Sequence, residues 1–151
     1  MHSFYTTLVI IHIFSAILGM GPGFILTTVT KSAQTMDEVR HAFRLKKTLH
    51  MYVMIGGLLL LLTGLLMGFI RPYLFQQGWY QLSLLLYLLA LALGPTYLKK
   101  YSTQIKALIQ TNTHQTLTPN YKKLLHKLLI TEYIENTLFI IIIFLMITKP
   151  F

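Results

Sequence analysis

FYTTLVIIHIFSAILGMGPGFILTTV, residues 4–29, decides the fold class. The stretch holds no Asp, Glu, Lys or Arg. A helix needs only ~20 apolar residues to cross ~30 Å of hydrocarbon, so this one is long enough to span a bilayer. His12 sits inside it. Helical steps of four and three from His12 reach Ala16, Gly19 and Gly23, so one face carries an imidazole followed by a groove of small residues. Two readings of that face stand at this point. In one, the small residues let helices touch and the imidazole bonds a neighbouring backbone; in the other, His12 is a ligand to a porphyrin or metal.

Outward from this stretch the pattern repeats. The chain has 151 residues, is 54% hydrophobic and only 11% charged, and has a mean hydropathy of +0.60. Its apolar residues fall in four long blocks, about Phe4–Val29, Met51–Ile70, Trp79–Leu98 and Leu128–Thr148. The expectation is an all-α protein, a four-helix transmembrane bundle in a single domain over residues 1–151, with both termini on one side. The N-terminus lacks a basic start, and its apolar block is too long for a typical signal peptide, so span 1 is expected to persist in the mature protein.

Charge sets the orientation. Lys31, Arg40, Arg44, Lys46 and Lys47 lie between spans 1 and 2, and Lys99, Lys100, Lys106, Lys122, Lys123 and Lys127 lie between spans 3 and 4. Only Arg71 and Lys149 fall on the other side. The positive-inside rule therefore places both basic segments in the cytoplasm and both termini outside. Of the +9 net charge, most is thus topological. The basic segments suit anionic lipid headgroups, whereas nucleic acid is not expected, since no aromatic-interleaved patch or DNA-binding motif accompanies the charge. Absence of cysteine excludes disulfides, thiolate ligation, iron–sulfur clusters and covalent haem attachment.

Along the chain, Gly21-Pro22-Gly23 is expected to kink span 1. Thr35 with Glu38 has the spacing of a capping box, and Met36 to Lys47 reads as a basic helix running into span 2. Span 2 has its own stripe, with His50, Met54, Gly57, Leu61, Gly64 and Gly68 at alternating steps of four and three. Trp79 and Tyr80 read as interface anchors, and Tyr80, Ser83, Tyr87, Ala90 and Gly94 give span 3 a polar and small face. Lys99 to Lys127 reads as a mobile cytoplasmic loop, with a break at Pro119.

Span 4 opens with Glu132, Glu135 and Asn136. An ionised group inside a bilayer costs at least ~2.5–3.5 kcal/mol, so Glu135 is expected to face the bundle, to be protonated or to be paired, and is the candidate proton-handling residue. Glu132, one turn nearer the cytoplasm, is expected to bond a Lys or Arg reaching up from the basic segments. His2, His41 and His114 fall in terminal or loop segments, and His126 reads as interfacial. This leaves His12 and His50 as candidate metal ligands. They differ in depth by about 20 Å along the membrane normal, too far to hold one haem between them.

Ile11-His12-Ile13, Thr63-Gly64-Leu65 and the terminal Met146-Ile147-Thr148-Lys149-Pro150-Phe151 resemble a family of uncharacterised bacterial four-span membrane proteins. They are more distantly similar to HemJ-type protoporphyrinogen oxidases and copper-resistance D-like proteins. That resemblance implies a multi-pass protein of the bacterial cell membrane, and in the HemJ-type proteins a span 1 histidine is implicated in binding b-type haem (heme b). By resemblance that role falls on His12. The chain departs from the pattern before the last span, where Thr131-Glu132-Tyr133-Ile134 replaces an Asn-Glu followed closely by proline. Two functions from different classes follow. One is a haem protein for electron transfer or tetrapyrrole-related redox chemistry. Its site would comprise His12, Ala16, Gly19, Gly57 and Gly64, with Tyr87 beside a distal ligand, a second site near His50 and Met54, and a membrane redox partner. The other is a non-catalytic bundle, an accessory subunit or lipid or small-molecule binder, in which the same residues serve packing. Homo-oligomerisation is compatible with either.

Overall fold

The computed structural model describes residues 2–111 and 118–150; His114 and Phe151 lie outside the described residues. Four stretches are helical, apolar and long enough to cross a membrane. The first, α1 (His2–Ser32), runs without interruption through Pro22. It turns at Ala33–Gln34 into α2 (Met36–Ile70). Thr35 starts α2 as the sequence predicts: its hydroxyl accepts from the Glu38 N–H at 3.3 Å, and the Glu38 carboxylate accepts from the Thr35 N–H at 3.4 Å and also from the Gln34 N–H at 2.7 Å. This capping box satisfies donors at the helix start that nothing else reaches.

At 35 residues α2 is roughly 50 Å long, well beyond the ~30 Å hydrocarbon. Its basic first turns stand outside the membrane. A 3₁₀ turn, Pro72–Gln76, leads to α3 (Gly78–Leu93). The chain does not then become a loop. Gly94–Leu98 forms a π-helical turn that continues directly into α4 (Lys99–Thr111), which corrects the expected mobile segment over its first half. The polar side chains that read as a loop form the outer face of an amphipathic helix whose inner face contributes the fully buried Ile105. The widened turn coincides with Pro95, which has no N–H for the ladder. α5 (Pro119–Thr148) begins where proline was expected to break the chain, with Thr118 as its N-cap, and ends at Lys149 in the left-handed region (φ 45°).

The spans close into a ring in the order α2, α1, α5, α3. Three clusters lie along its axis. Met20, Leu60, Tyr87, Ala90, Phe139 and Ile142 fill the centre. At the end that carries both termini, here the terminal end, Leu74, Trp79 and Tyr80 pack together. Trp79, expected to be an interface anchor, is buried there, with Lys149 Nζ 5.5 Å from its ring centroid. At the opposite, basic end, Met36, Val39, Phe43, Ile105, Tyr121 and Leu128 form a separate core between the start of α2, α4 and the start of α5. The bundle thus continues beyond the membrane as a three-helix extension. Around the spans, Phe14, Ile17, Leu58, Leu62, Leu85, Ile140 and Phe144 are exposed, as bilayer solvation requires.

Candidate functional site

The small-residue stripes meet at backbone contact. A Cβ on Gly19 would lie 2.8 Å from the Gly57 nitrogen, and one on Gly56 would lie 2.5 Å from the Gly19 nitrogen. No real Cβ tolerates such distances, so only glycine fits this crossing of α1 and α2. The seam leaves no slot into which a flat ligand could slide. Gly23, expected on the same seam, instead faces α5. A Cβ there would stand 3.1 Å from Asn136 Oδ1, and Asn136 Nδ2 donates to Thr27 Oγ1 at 3.3 Å.

The antiparallel register follows from the seam. His12 is seven residues before Gly19, and Gly64 is seven residues after Gly57, so the two must meet. A Cβ on Gly64 would lie 3.3 Å from His12 Cε1, and His12 Nδ1 is 2.8 Å from Thr63 Oγ1. The Thr63 hydroxyl points its single proton at the Leu59 carbonyl, 2.6 Å away. In that arrangement it accepts from the ring. Assigned from this network, Nδ1 carries the proton of neutral His12, and the Nε2 lone pair is left for a further partner. An imidazole oriented by an oxygen at one nitrogen and open at the other has the form of an oriented metal ligand.

The remaining predicted residues divide. Ala16 packs against the central cluster. Tyr87 reaches across to α2, its hydroxyl donating to the Gly57 carbonyl at 2.8 Å. His50 is exposed and Met54 is 61% exposed, so both stand on the outside of α2, away from His12. They complete no site with it. His41 and His126 are likewise exposed. Among the described residues no three His, Asp or Glu side chains converge as a metal site.

The carboxylates behave differently from each other. Glu132 forms an ion pair with Lys46 of α2, as the sequence predicts, and both side chains are largely buried, 12% and 16% exposed. Lys46 also lies 5.5 Å from the Phe43 ring centroid. Glu135, one turn deeper, is half-buried and has no ion pair among the described residues. Sequence reasoning did not single out Thr63, Gly56 or the Asn136–Thr27 bond. Thr63 was within reach of that reasoning, because it is the only hydroxyl in Val53–Ile70 and lies at the depth of His12.

Four apolar spans, a glycine-locked crossing and polar side chains turned inward define a multi-pass integral membrane protein. Residues 6–150 match a family described as "Predicted integral membrane protein (DUF2269)". The chain belongs to that family. No curated protein and no solved structure matches it.

Proposed function

We propose that the protein binds b-type haem through His12, for electron transfer or tetrapyrrole-related redox chemistry. The observation that carries this proposal is the His12–Thr63 pair, which orients the ring. As a test of fit, this donor set suits a haem held by one axial imidazole. It does not suit a haem held in the α1–α2 seam, which backbone fills, nor one shared with His50 or Met54. A bound haem supplies one-electron chemistry at its iron. The chain's own share is to orient His12, to surround it with the apolar bundle, and to hold protons at Glu135. The resemblance to HemJ-type oxidases and copper-resistance D-like proteins supports the same reading.

The absorption spectrum of detergent-purified protein from haem-replete cells tests it. A Soret band that is lost or shifted in His12→Ala and retained in His50→Ala is the expected result. A colourless preparation would favour the non-catalytic bundle, to which the closed glycine seam gives specific support. In the cell we place the protein in the bacterial cell membrane, with the basic end in the cytoplasm and both termini outside. The exposed Lys47, Lys99, Lys100 and Lys127 then stand where anionic headgroups lie. A redox partner or a second copy would meet the lipid-facing or extension surfaces.

A further inference from the structure

α2 and α3 are joined through side chains. Tyr80 donates to the Gly64 carbonyl at 2.9 Å and Tyr87 to the Gly57 carbonyl at 2.8 Å, making two rungs between the helices. Ser83 lies between the rungs on the same face of α3. Its side chain is 1% exposed, and its hydroxyl has no hydrogen-bond partner among the described residues. Buried hydroxyls elsewhere in the spans return their proton to a carbonyl one turn back: Ser15 to Ile11 at 2.7 Å, Thr27 to Gly23 at 2.9 Å, Thr30 to Leu26 at 2.7 Å and Thr131 to Lys127 at 3.0 Å. Ser83 does not, and among the buried hydroxyls of the described residues it shares that state only with Tyr121, in the core at the basic end. An unpaired buried hydroxyl is costly, and a lodged water would recover that cost.

The row continues in both directions. Toward the basic end, half-buried Glu135 stands on α5, the helix packed against α3. Glu132 follows, with one carboxylate oxygen held by Lys46 and the other buried without a partner. The titratable groups on the elements around Glu135 are thus Glu132 of its own helix, Lys46 of α2 paired with Glu132, and Tyr87 of α3. Toward the terminal end, Tyr80 belongs to the cluster with Leu74 and Trp79, and the Tyr5 ring centroid lies 3.9 Å from the Arg71 guanidinium carbon. Polar groups therefore succeed one another from the Arg71 edge to the Lys46 edge through an otherwise apolar interior.

We propose that this row is a transmembrane proton path, in which protons pass along waters lodged between the hydroxyls of Tyr80, Ser83 and Tyr87 and the carboxylates of Glu135 and Glu132. Intramembrane carboxylates in such series mark proton relays. A proton taken up at one face is released at the other, so the step needs no oxidant or reductant. It does not depend on haem, and it is read by flux where the haem assignment is read by absorbance.

The test is purified full-length protein in liposomes that enclose a pH-sensitive dye, with a potassium gradient and valinomycin imposing the potential. Expected is an initial rate of internal pH change well above that of protein-free liposomes. Glu135→Gln should lower the rate about tenfold or more, and Ser83→Ala should lower it severalfold. Ser15→Ala, whose hydroxyl is already bonded within α1, should leave it unchanged. Should Glu135→Gln fail to fold, Ser83→Ala decides alone, because removing an unpaired hydroxyl from a packed core should not lower stability. A rate equal to that of protein-free liposomes, or an undiminished rate in Ser83→Ala, overturns the proposal.

Discussion

Gly56→Ala is the smallest change that tests how α1 and α2 are held. The new methyl group would lie 2.5 Å from the Gly19 nitrogen and 2.8 Å from the Leu18 carbonyl carbon. Ordinary heavy-atom contact is about 3.5–4.0 Å. The obstacles are backbone atoms, so no rotamer change relieves the clash, and the two helices must separate by roughly 1 Å at their closest point. Overpacking of this kind costs about 1–3 kcal/mol, and exchanging a helical glycine for alanine returns up to about 1 kcal/mol. The net expectation is a loss of about 1–2 kcal/mol. Gly21→Ala supplies the control, since nothing lies within 4 Å of the Cβ it would add; it should be neutral or slightly stabilising. Reversible unfolding in mixed micelles, followed by helicity, measures both. Equal midpoints for the two variants would refute the closed seam.

Thr63→Val removes the acceptor of the His12 ring proton while keeping the shape. Metal-site partners of this kind are worth about 10–100-fold in affinity, so haem occupancy should fall or the Soret band should shift in the purified variant. Lys46→Ala leaves Glu132 buried and unpaired and should cost about 3–5 kcal/mol, whereas removing both partners should restore much of that loss; unfolding midpoints of the two singles and the double decide. A reporter active only in the cytoplasm should be silent at the C-terminus and active when inserted between Thr111 and Thr118.

Hydropathy alone made the four spans legible, because a lipid-facing helix cannot hide its composition. Basic residues and the Thr35–Glu38 spacing likewise announced the helical entry to span 2. The α4 region was misread because its amphipathic pattern is short and glutamine- and threonine-rich, and its partners Met36, Val39 and Phe43 come from a distant part of the chain. At the candidate site, His12 and Gly19 were identified as a face of span 1, and Gly57 and Gly64 as a stripe of span 2. Which of them would touch required the register of α1 against α2, which periodicity within one helix does not contain. The same limit applied to His50 and Met54, which share a stripe with Gly57 in the sequence yet are exposed on α2.

The length of α2 has a mechanical consequence. One unbroken rod carries the ion pair at Lys46, the crossing at Gly56 and Gly57, and the hydroxyl of Thr63. The crossing is its natural fulcrum, being the point of closest approach. The arm from Gly56 to Lys46 is about 15 Å and the arm to Thr63 about 10 Å. A tilt that moves Lys46 by ~1 Å therefore moves Thr63 by ~0.7 Å. Applied along the 2.8 Å bond to His12, that displacement stretches it to the limit of hydrogen bonding. Whatever grips the extension at the basic end thereby holds a lever on the imidazole near the opposite face.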